Sequence, residues 1–416
     1  MRKKKGLLII MDGLGDRPIA SLGGKTPLEA AHTPNLDALV IQGMCGNVYP
    51  IAPGIRVGTD VGHLQIFGCD SRTCYRGRGP LEAVSGGIVL QDGDVAFRGN
   101  FATVDSKLCV TDRRAGRISS GTDELAKVLD GMQLSEDIVV LAKELTEHRI
   151  AIVLRGKGLS DAITCTDPGT GEEGMPLATP SPMDDSPEAA RTARALAEFT
   201  AKAVQLLSEH PLNKERTAQG KPCANVVITR GAGQKTEMPS IQKKYGIKAA
   251  CIAGDVTVGG IATLTGMDYY TASSFTGGFE TDLQGKAELA LRLFEDGYAW
   301  VVLHVKGTDL AGHDNLPQKK MEIIEAVDSM VGFLLTRLNL NDCYLSLTAD
   351  HSTPCEAGDH TGDGVPTLIA GGDVRRDGVG SVGETPFMMG ALQNLTANDI
   401  FMLQMDLMGY TEKVGS

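Results

Sequence analysis

The sequence predicts an α/β fold, in which a mostly parallel sheet carries helices on both faces and a smaller α+β domain is inserted. Three observations lead to this prediction. Apolar runs typical of buried strands end in acidic residues, segments with helical spacing alternate with them, and from about residue 72 Arg and Gly become frequent. We expect the core domain to comprise residues 1–71 and 181–416, and the inserted domain residues 72–180.

The first buried strand is predicted at Leu7–Met11, which runs directly into Asp12. A glycine-containing turn follows this acid. It is not a nucleotide-binding loop, because Pro18 and Ile19 stand where the dinucleotide and Walker fingerprints require glycine.

Three helix starts follow along the chain. Thr26 and Thr33 each precede a proline, which favours the first turn of a helix. Thr59 comes after a glycine-flanked turn, and two interpretations are open: a helix N-cap, the commoner role of such a threonine, or an exposed hydroxyl nucleophile. His63 is expected to pack, or to support a ligand, rather than to bind a metal itself.

The inserted domain is expected to concentrate positive charge in an acidic chain. Its arginines include Arg72, Arg76, Arg78, Arg98, Arg113, Arg114 and Arg117. Strand-like runs lie at Val95–Phe97, Phe101–Val104, Ile138–Leu141 and Ile150–Leu154. Arg offers paired donors that match phosphate or carboxylate oxygens, although an exposed charged face explains any single Arg equally well.

The proline-rich segment Pro176–Pro187 is predicted to be the linker that returns to the core, where the α/β alternation resumes. Helices are predicted at about 188–209 and 318–338, because apolar residues recur there at steps of three and four. Strands are predicted at Val226–Ile228, Ala249–Ile252, Trp300–Val305 and Cys343–Leu347. An active site would then lie between the two domains.

Composition and charge restrict the functional class. The formal net charge is −12, which argues against nucleic acid or an anionic membrane as the main partner. The apolar run at the N-terminus stops at Asp12, too early for an export signal or a membrane span. The nine cysteines are scattered without a CxxC motif. We therefore expect a cytoplasmic enzyme with reduced thiols that acts on a small molecule, as a monomer or small homo-oligomer.

Three acids at strand ends, together with three histidines, predict a centre for two cations. The acids are Asp12, Asp309 and Asp350, and the histidines are His313, His351 and His360. Mixed carboxylate and imidazole ligands suit Mn, Zn, Fe or Mg better than a soft metal, and Cys355 is expected to be a small buried residue rather than a ligand. Two such cations roughly 4 Å apart can polarise a phosphoryl group and activate a hydroxyl.

Six segments together resemble the cofactor-independent phosphoglycerate mutases in their archaeal form, within the alkaline phosphatase superfamily. They are MDGLGDRP at Met11, TPLEAAHTPNLDAL at Thr26, GTDVGH at Gly58, DRRAGR at Asp112, HVKGTDLAGHD at His304 and TADHSTP at Thr348. The resemblance covers nearly the whole chain. It implies an alkaline-phosphatase-like core and a metal-dependent interconversion of 3-phosphoglycerate and 2-phosphoglycerate in glycolysis and gluconeogenesis, without 2,3-bisphosphoglycerate.

The resemblance also implies roles for individual residues. One divalent cation is held by Asp309, His313 and His360, and the other by Asp12, Asp350, His351 and the nucleophile oxygen, with Mn preferred and Mg, Co or Zn as alternatives. The nucleophile falls on Thr59, where the family more commonly has serine, so the intermediate is a phosphothreonine. The extra methyl group restricts the side-chain rotamer and crowds the phosphoryl group.

Basic residues are expected to meet the anionic groups of the small phosphorylated substrate. By similarity these are Lys244 and Lys306 in the core, and Arg98, Arg113, Arg114, His148 and Arg155 in the inserted domain. Structural salt bridges are the competing interpretation for each of them. Water must be excluded between the two transfers, and closure of the inserted domain would achieve this.

Other functions are compatible with the same residues. A phosphomonoesterase or sulfatase of the same superfamily would use the same metals and nucleophile and differ only in its product. A phosphopentomutase would act with the same groups on another substrate. A metal-binding or regulatory protein with an inactive site belongs to a different class, but it requires a missing ligand, and all six protein ligands are present.

Overall fold

The computed structural model describes residues 3–169, 171, 173–235 and 238–415. The chain divides into two compact units. The core unit comprises Met1–Cys74 and Met238–Ser416, and the inserted unit comprises Tyr75–Glu237. The chain thus leaves the core close to the predicted residue 71, but it returns at residue 238 rather than at the predicted residue 181.

Both units contain β-strands. They are β1 (Lys5–Met11), β2 (Gly43–Val48), β3 (Val95–Val104), β4 (Val110–Asp112), β5 (Gln133–Leu134), β6 (Ile138–Glu144), β7 (Arg149–Arg155), β8 (Val226–Gln234), β9 (Ala249–Ile252), β10 (Asp268–Tyr270), β11 (Trp300–Val305), β12 (Cys343–Thr348) and β13 (Val365–Ala370). The predicted runs at 95–97 and 101–104 are one continuous strand, β3.

Helices connect the strands. They are α1 (Pro27–Ala30), α2 (Pro34–Val40), α3 (Thr59–Ile66), α4 (Ser71–Cys74), α5 (Gly79–Ser85), α6 (Thr122–Leu129), α7 (Pro187–Glu209), α8 (Pro211–Ala218), α9 (Ile241–Tyr245), α10 (Val256–Leu264), α11 (Leu283–Glu295), α12 (Gly307–His313), α13 (Pro317–Leu335), α14 (Glu384–Phe387) and α15 (Ala397–Leu407). A 3-10 turn lies at Ala20–Leu22. Among the described residues, no helix combines the length and apolar character needed to cross a bilayer.

The core unit is built on a seven-stranded sheet in the order β10-β9-β11-β1-β12-β13-β2. The first five strands are parallel, whereas β13 and β2 run antiparallel to their neighbours. Ile10 of β1 lies opposite His304 of β11 and Thr348 of β12. The carboxyl ends of these three central strands therefore meet at one edge, and the predicted mostly parallel sheet is confirmed.

The three central strands are apolar because both faces of the sheet are covered. Every residue of β11 and β12 is buried, and so is every residue of β1 after Lys5. Strands buried on two faces read as continuous apolar runs rather than as an alternating pattern. This is why all three could be predicted from the sequence alone.

The inserted unit contains an antiparallel sheet in the order β4-β3-β7-β6-β5, and β8 pairs with the other side of β3. Phe97 and Phe101 of β3 share one buried core with Leu196 and Phe199 of α7. Both α7 and β8 come after residue 180 in the chain. Because this helix and this strand complete the sheet and its core, the inserted unit extends well beyond its predicted end.

The proline-rich segment is not a linker, contrary to the prediction. Its backbone pairs with neighbouring segments of the inserted unit: Leu177 N–H donates to the carbonyl of Leu108 at 3.0 Å, and Met183 N–H donates to the carbonyl of Ala162 at 2.8 Å. Proline disfavours helix but allows extended chain. The segment is therefore an extended part of the inserted unit, held to it by backbone hydrogen bonds.

The cysteines also depart from the prediction of reduced thiols at one place. Cys69 and Cys74 are joined by a disulfide, with their Cα atoms 6.7 Å apart. The turn between α3 and α4 brings the two residues together, which their spacing alone does not indicate. The other seven cysteines, all within the described ranges, are free, and Cys355 is buried as predicted.

Candidate metal centre

Three carboxylates converge at the carboxyl edge of the core sheet. Asp12 follows β1 directly, Asp309 lies in the first turn of α12 after β11, and Asp350 is the second residue after β12. All three side chains are buried, at 0%, 2% and 0% exposure. Because the three strands are adjacent and parallel, residues that follow them are forced into the same small volume.

Three histidines complete the cluster. His351 Nε2 lies 3.3 Å from an oxygen of Asp12 and 3.2 Å from an oxygen of Asp350. His313, one helical turn after Asp309, places Nε2 at 3.4 Å from that carboxylate, and His360 places Nε2 at 3.6 Å from it. The predicted ligands therefore come together as two adjoining groups, one around Asp12 and Asp350 and the other around Asp309.

The three imidazoles share one arrangement, in which Nδ1 faces an oxygen that can accept its proton. The partners are the carbonyl of Gly358 for His313 at 2.9 Å, the carbonyl of Val57 for His360 at 2.8 Å and the hydroxyl of Thr353 for His351 at 3.0 Å. The proton on Nδ1 leaves an Nε2 lone pair directed at the carboxylates. Without a cation, the Nε2 lone pairs and the carboxylate oxygens repel each other. A divalent cation between them would remove this repulsion, so these donor atoms fit divalent cations.

The carboxylates themselves also fit cations. Oδ1 of Asp12 and Oδ2 of Asp350 are buried without a hydrogen-bond partner, which is costly for charged oxygens. Burial, and then the charge of Asp350, raises the pKa of Asp12. Burial opposes ionisation of Asp350 as well, but His351 and His63 hold its pKa below the ordinary value. Carboxylate and imidazole together are the ligand set that Mn, Zn and Fe accept.

Lys306 brings a positive charge to the same volume. Its Nζ lies 2.7 Å from Asp309 and 3.0 Å from Asp12, and it donates to the hydroxyl of Thr59 at 3.3 Å. Burial opposes the charged form, but Asp12 and Asp309 raise the pKa of Lys306, so the ammonium persists at neutral pH. Burial likewise opposes ionisation of Asp309, yet Lys306 holds the pKa of this carboxyl at about 2.

Thr59 is the first residue of α3, and its N-cap is Gly58. The interpretation of Thr59 as an N-cap is therefore wrong, and its hydroxyl is not used to cap the helix. This hydroxyl lies 3.4 Å from Nε2 of His351 in addition to its contact with Lys306. The hydroxyl thus lies at a helix N-terminus, beside a lysine and two groups of carboxylates and imidazoles that could hold cations.

Three further groups lie beside the cluster, and of these only His63 was predicted to have a packing or supporting role. His63 Nδ1 donates to the carbonyl of Thr59 at 2.7 Å, and His304 Nε2 lies 2.9 Å from Asp12. Asp255, the N-cap of α10, is close enough to Lys306 and His304 that their charges lower its pKa, although burial opposes this. The spacing of His63 four residues after Thr59 on one helix was the only available signal.

The inserted unit carries a separate group of cations on β3 and β8. Arg98 and Arg230 lie opposite each other across the two strands. Arg98 Nε is 3.2 Å from the fully buried carboxylate of Glu82, and Arg78 Nε is 3.6 Å from it. Burial lowers the pKa of Arg98 to about 9; Glu82 opposes this, and Arg78 and Arg230 add to it. Arg78 and Arg98 were among the arginines predicted for this unit, and Arg230, which the sequence analysis placed in the core, joins them.

His148 and Arg114 lie close to this group. Burial, and then the neighbouring charges of Arg149 and Arg114, lowers the pKa of His148 to about 4. Nδ1 of His148 is buried without a hydrogen-bond partner. His148 is therefore neutral at physiological pH and has an unused polar atom beside several cations.

Three predicted substrate ligands have other partners or positions. Nη2 of Arg113 donates to both carboxylate oxygens of Asp167, at 2.7 and 2.5 Å. Arg155, at the far end of β7 from Arg149, is tied to Asp94 at 2.6 Å. Lys244 is exposed on α9, which precedes β9 and so lies at the opposite edge of the sheet from Asp12. Of these three, Arg155 and Lys244 are not brought together with the other predicted site residues.

The chain is similar to known proteins along its whole length. The family model described as 2,3-bisphosphoglycerate-independent phosphoglycerate mutase matches residues 41–213. A protein of that name from Thermococcus kodakarensis is 45% identical over 100% of both chains. The protein named 2,3-bisphosphoglycerate-independent phosphoglycerate mutase 1 from Methanothermobacter thermautotrophicus is 42% identical over 99% of this chain and 100% of its own.

Solved structures agree with these relatives. A protein from Pyrococcus horikoshii has a TM-score of 0.87 and 39% identity, with 100% of both chains covered. A cofactor-independent phosphoglycerate mutase from Thermoplasma acidophilum has a TM-score of 0.73 and 32% identity, covering 98% of this chain and 100% of its own.

Proposed function

Because this chain belongs to the 2,3-bisphosphoglycerate-independent phosphoglycerate mutases, it is an isomerase that interconverts 3-phosphoglycerate and 2-phosphoglycerate in glycolysis and gluconeogenesis, and we propose that Thr59 carries the phosphoryl group between the two positions. The observation that supports this role is the position of the Thr59 hydroxyl, next to Lys306 and His351 at the edge where the acids converge. The family name itself states independence from 2,3-bisphosphoglycerate.

Two divalent cations are proposed as cofactors, with Mn preferred and Mg, Co or Zn as alternatives. Asp309, His313 and His360 would hold one, and Asp12, Asp350 and His351 the other, together with the oxygen of Thr59. When bound, such cations lower the pKa of the hydroxyl and neutralise charge on the phosphoryl oxygens. The lone pairs of the three imidazoles and the unpaired carboxylate oxygens support this assignment.

The first transfer joins the Thr59 oxygen to phosphorus as the bond from phosphorus to the 3-oxygen of glycerate breaks. The proton of the hydroxyl ends on the released 3-oxygen. In the second transfer the 2-oxygen of the same glycerate takes the phosphoryl group, and its proton returns to Thr59. Lys306 neutralises the phosphoryl oxygens in both transfers, since it contacts the Thr59 hydroxyl directly.

The inserted unit is proposed to bind the anionic groups of the substrate. Arg98, Arg114 and His148 are retained from the sequence prediction, and Arg78 and Arg230 join them because they share the surroundings of Glu82 and Arg98. Several guanidinium groups around one carboxylate leave an excess of positive charge that a phosphate or carboxylate can satisfy. Arg113 keeps a smaller role, since Asp167 already engages it.

Phosphorus NMR tests this function directly. Protein loaded with Mn is mixed with 3-phosphoglycerate, and no 2,3-bisphosphoglycerate is added. The expected product is 2-phosphoglycerate, its formation abolished by a chelator and restored by added Mn. Release of free phosphate as the only product would instead identify a phosphomonoesterase.

A further inference from the structure

Lys320 on α13 is a fully buried lysine whose charge the proposed reaction does not use. Its Nζ donates to the carbonyls of Gly13 and Thr353, both at 3.0 Å, and forms an ion pair with Asp16 at 2.9 Å. The carbonyl of Gly15 lies at 3.4 Å. One ammonium group therefore joins the segment that follows Asp12 to the segment that follows His351.

Thr353 extends this connection to the other group of ligands. Its hydroxyl donates to Asp309 at 2.8 Å and accepts the Nδ1 proton of His351 at 3.0 Å. Its backbone N–H donates to the carbonyl of Gly15 at 3.1 Å. The residue whose carbonyl Lys320 holds thus contacts a carboxylate from one predicted cation site and an imidazole from the other.

A buried ammonium is costly unless its protons are satisfied, and here every nearby acceptor belongs to one of the two segments. Asp16 is also fixed, because it accepts from the backbone N–H of Cys355 at 3.2 Å. The network therefore crosslinks residues 13–16 to residues 353–355. Neither segment is a helix or a regular strand, and isolated backbone bridges between Leu14 or Gly15 and Ser352 join them. The Lys320 network adds side-chain contacts to these bridges and so increases the rigidity that a metal site requires.

We propose that Lys320 is a positioning residue for the metal centre. Its ammonium, acting through Gly13 and Thr353, fixes the separation between the segment that carries Asp12 and the segment that carries His351, and so sets the affinity for divalent cations. The inference rests on the proposed function, because it requires that these residues bind metal.

The test measures Mn²⁺ affinity of the full chain by electron paramagnetic resonance of free Mn²⁺. Lys320→Met keeps an unbranched side chain, one atom shorter than that of lysine, and removes its charge. The expected loss of affinity is on the order of 10- to 100-fold, the range seen when residues that orient metal ligands are changed. Thr353→Val is expected to weaken binding as well, and it carries the test if Lys320→Met does not fold.

Asp328→Asn is the matched control. Asp328 lies on the same helix and is buried, but it accepts from the backbone of Leu36 at 2.8 Å and from Asn35 at 2.7 Å, on α2. This variant is expected to lower Tm while leaving Mn²⁺ affinity at the wild-type value. A folded Lys320→Met or Thr353→Val protein with wild-type Mn²⁺ affinity would overturn the proposal. A loss of Mn²⁺ affinity that accompanies the lower Tm of Asp328→Asn would overturn it as well, because affinity would then follow general stability. Wild-type protein that binds no Mn²⁺ would instead refute the metal-dependent function itself.

Discussion

Thr59 combines the hydroxyl that a phosphoryl acceptor needs with a methyl group that the reaction does not need. The methyl limits the side chain to fewer rotamers. We therefore predict that Thr59→Ser retains activity. Because the steric effect of one methyl group is small, kcat should equal the wild-type value or exceed it by roughly a few-fold. Thr59→Ala is expected to lose roughly four orders of magnitude in kcat, because it lacks the attacking oxygen. Steady-state kinetics with 3-phosphoglycerate, and mass spectrometry for a phosphorylated Thr59 peptide, check both.

A Thr59→Ala protein with near-wild-type turnover would remove Thr59 from the reaction. The matching fold control is circular dichroism, which shows whether the loss of this buried side chain disturbs α3.

Glu384 gives a prediction for stability against pH. Its carboxylate accepts from Asp16 N–H at 3.0 Å and from the hydroxyl of Thr26 at 2.6 Å. Burial raises its pKa from 4.5 to about 7. The folded protein therefore keeps this proton at a pH where the unfolded chain has lost it. The resulting contribution of Glu384 to the free energy of unfolding is complete below pH 4.5 and is lost as the pH rises to 7.

Glu384→Gln should remove this dependence. The difference in free energy of unfolding, wild type minus variant, is expected to fall by about 2 to 3 kcal/mol between pH 5 and pH 8. Urea unfolding at several pH values measures it. A difference that stays constant over this range would show that Glu384 titrates normally.

The convergence of the six proposed metal ligands was predictable at the level of single residues, because each follows a recognisable strand or stands at a fixed spacing from an acid. The contact of His304 with Asp12 was not, because it depends on which atoms lie opposite the ring in the fold, and for His63 the sequence predicted only a packing or supporting role. Lys320 shows the same limit. An amphipathic helix pattern indicates that its position faces inward, but not that a lysine there meets three carbonyl oxygens.

At the scale of elements, the pairing of β3 with β8 determines how far the inserted unit extends along the chain. It also determines where two of the unit's arginines lie. β8 joins the sheet from a distant part of the chain, and it places Arg230 opposite Arg98. The sequence predicted a strand at Val226–Ile228 but assigned it to the core, since an apolar run carries no information about which sheet it joins. Local pattern therefore identifies strands, whereas partner choice depends on the tertiary fold.

This pairing predicts the effects of arginine variants. Arg98→Met and Arg230→Met are each expected to raise KM for 3-phosphoglycerate on the order of 10- to 100-fold, the equivalent of losing one charge-assisted hydrogen bond. Arg155→Met is expected to lower Tm by breaking the pair with Asp94 and to leave KM unchanged. An increase in KM for Arg155→Met as large as that for Arg98→Met would return Arg155 to the substrate site.

For the whole molecule, we expect the concentration of acids at one sheet edge to make stability dependent on cations. A ligand that binds only the folded state stabilises it by about 2.7 kcal/mol at a hundred times its Kd. We predict that saturating Mn²⁺ raises Tm by roughly 5 °C or more relative to chelator-treated protein. Differential scanning calorimetry measures this shift, and Asp350→Asn should abolish most of it. Equal Tm values with Mn²⁺ and with chelator would contradict a resident metal.

The central strand of the core sheet, β1, is synthesised long before either of the strands that pair with it. β1 opens the chain, yet its two partners begin at Trp300 and Cys343. As the chain leaves the ribosome, this apolar segment must wait for almost the entire polypeptide, whereas the inserted unit is contiguous and can fold earlier. Asp12 is likewise translated long before Asp350. A prematurely terminated product that lacks β12 therefore has no assembled centre, and it exposes a strand prone to aggregation.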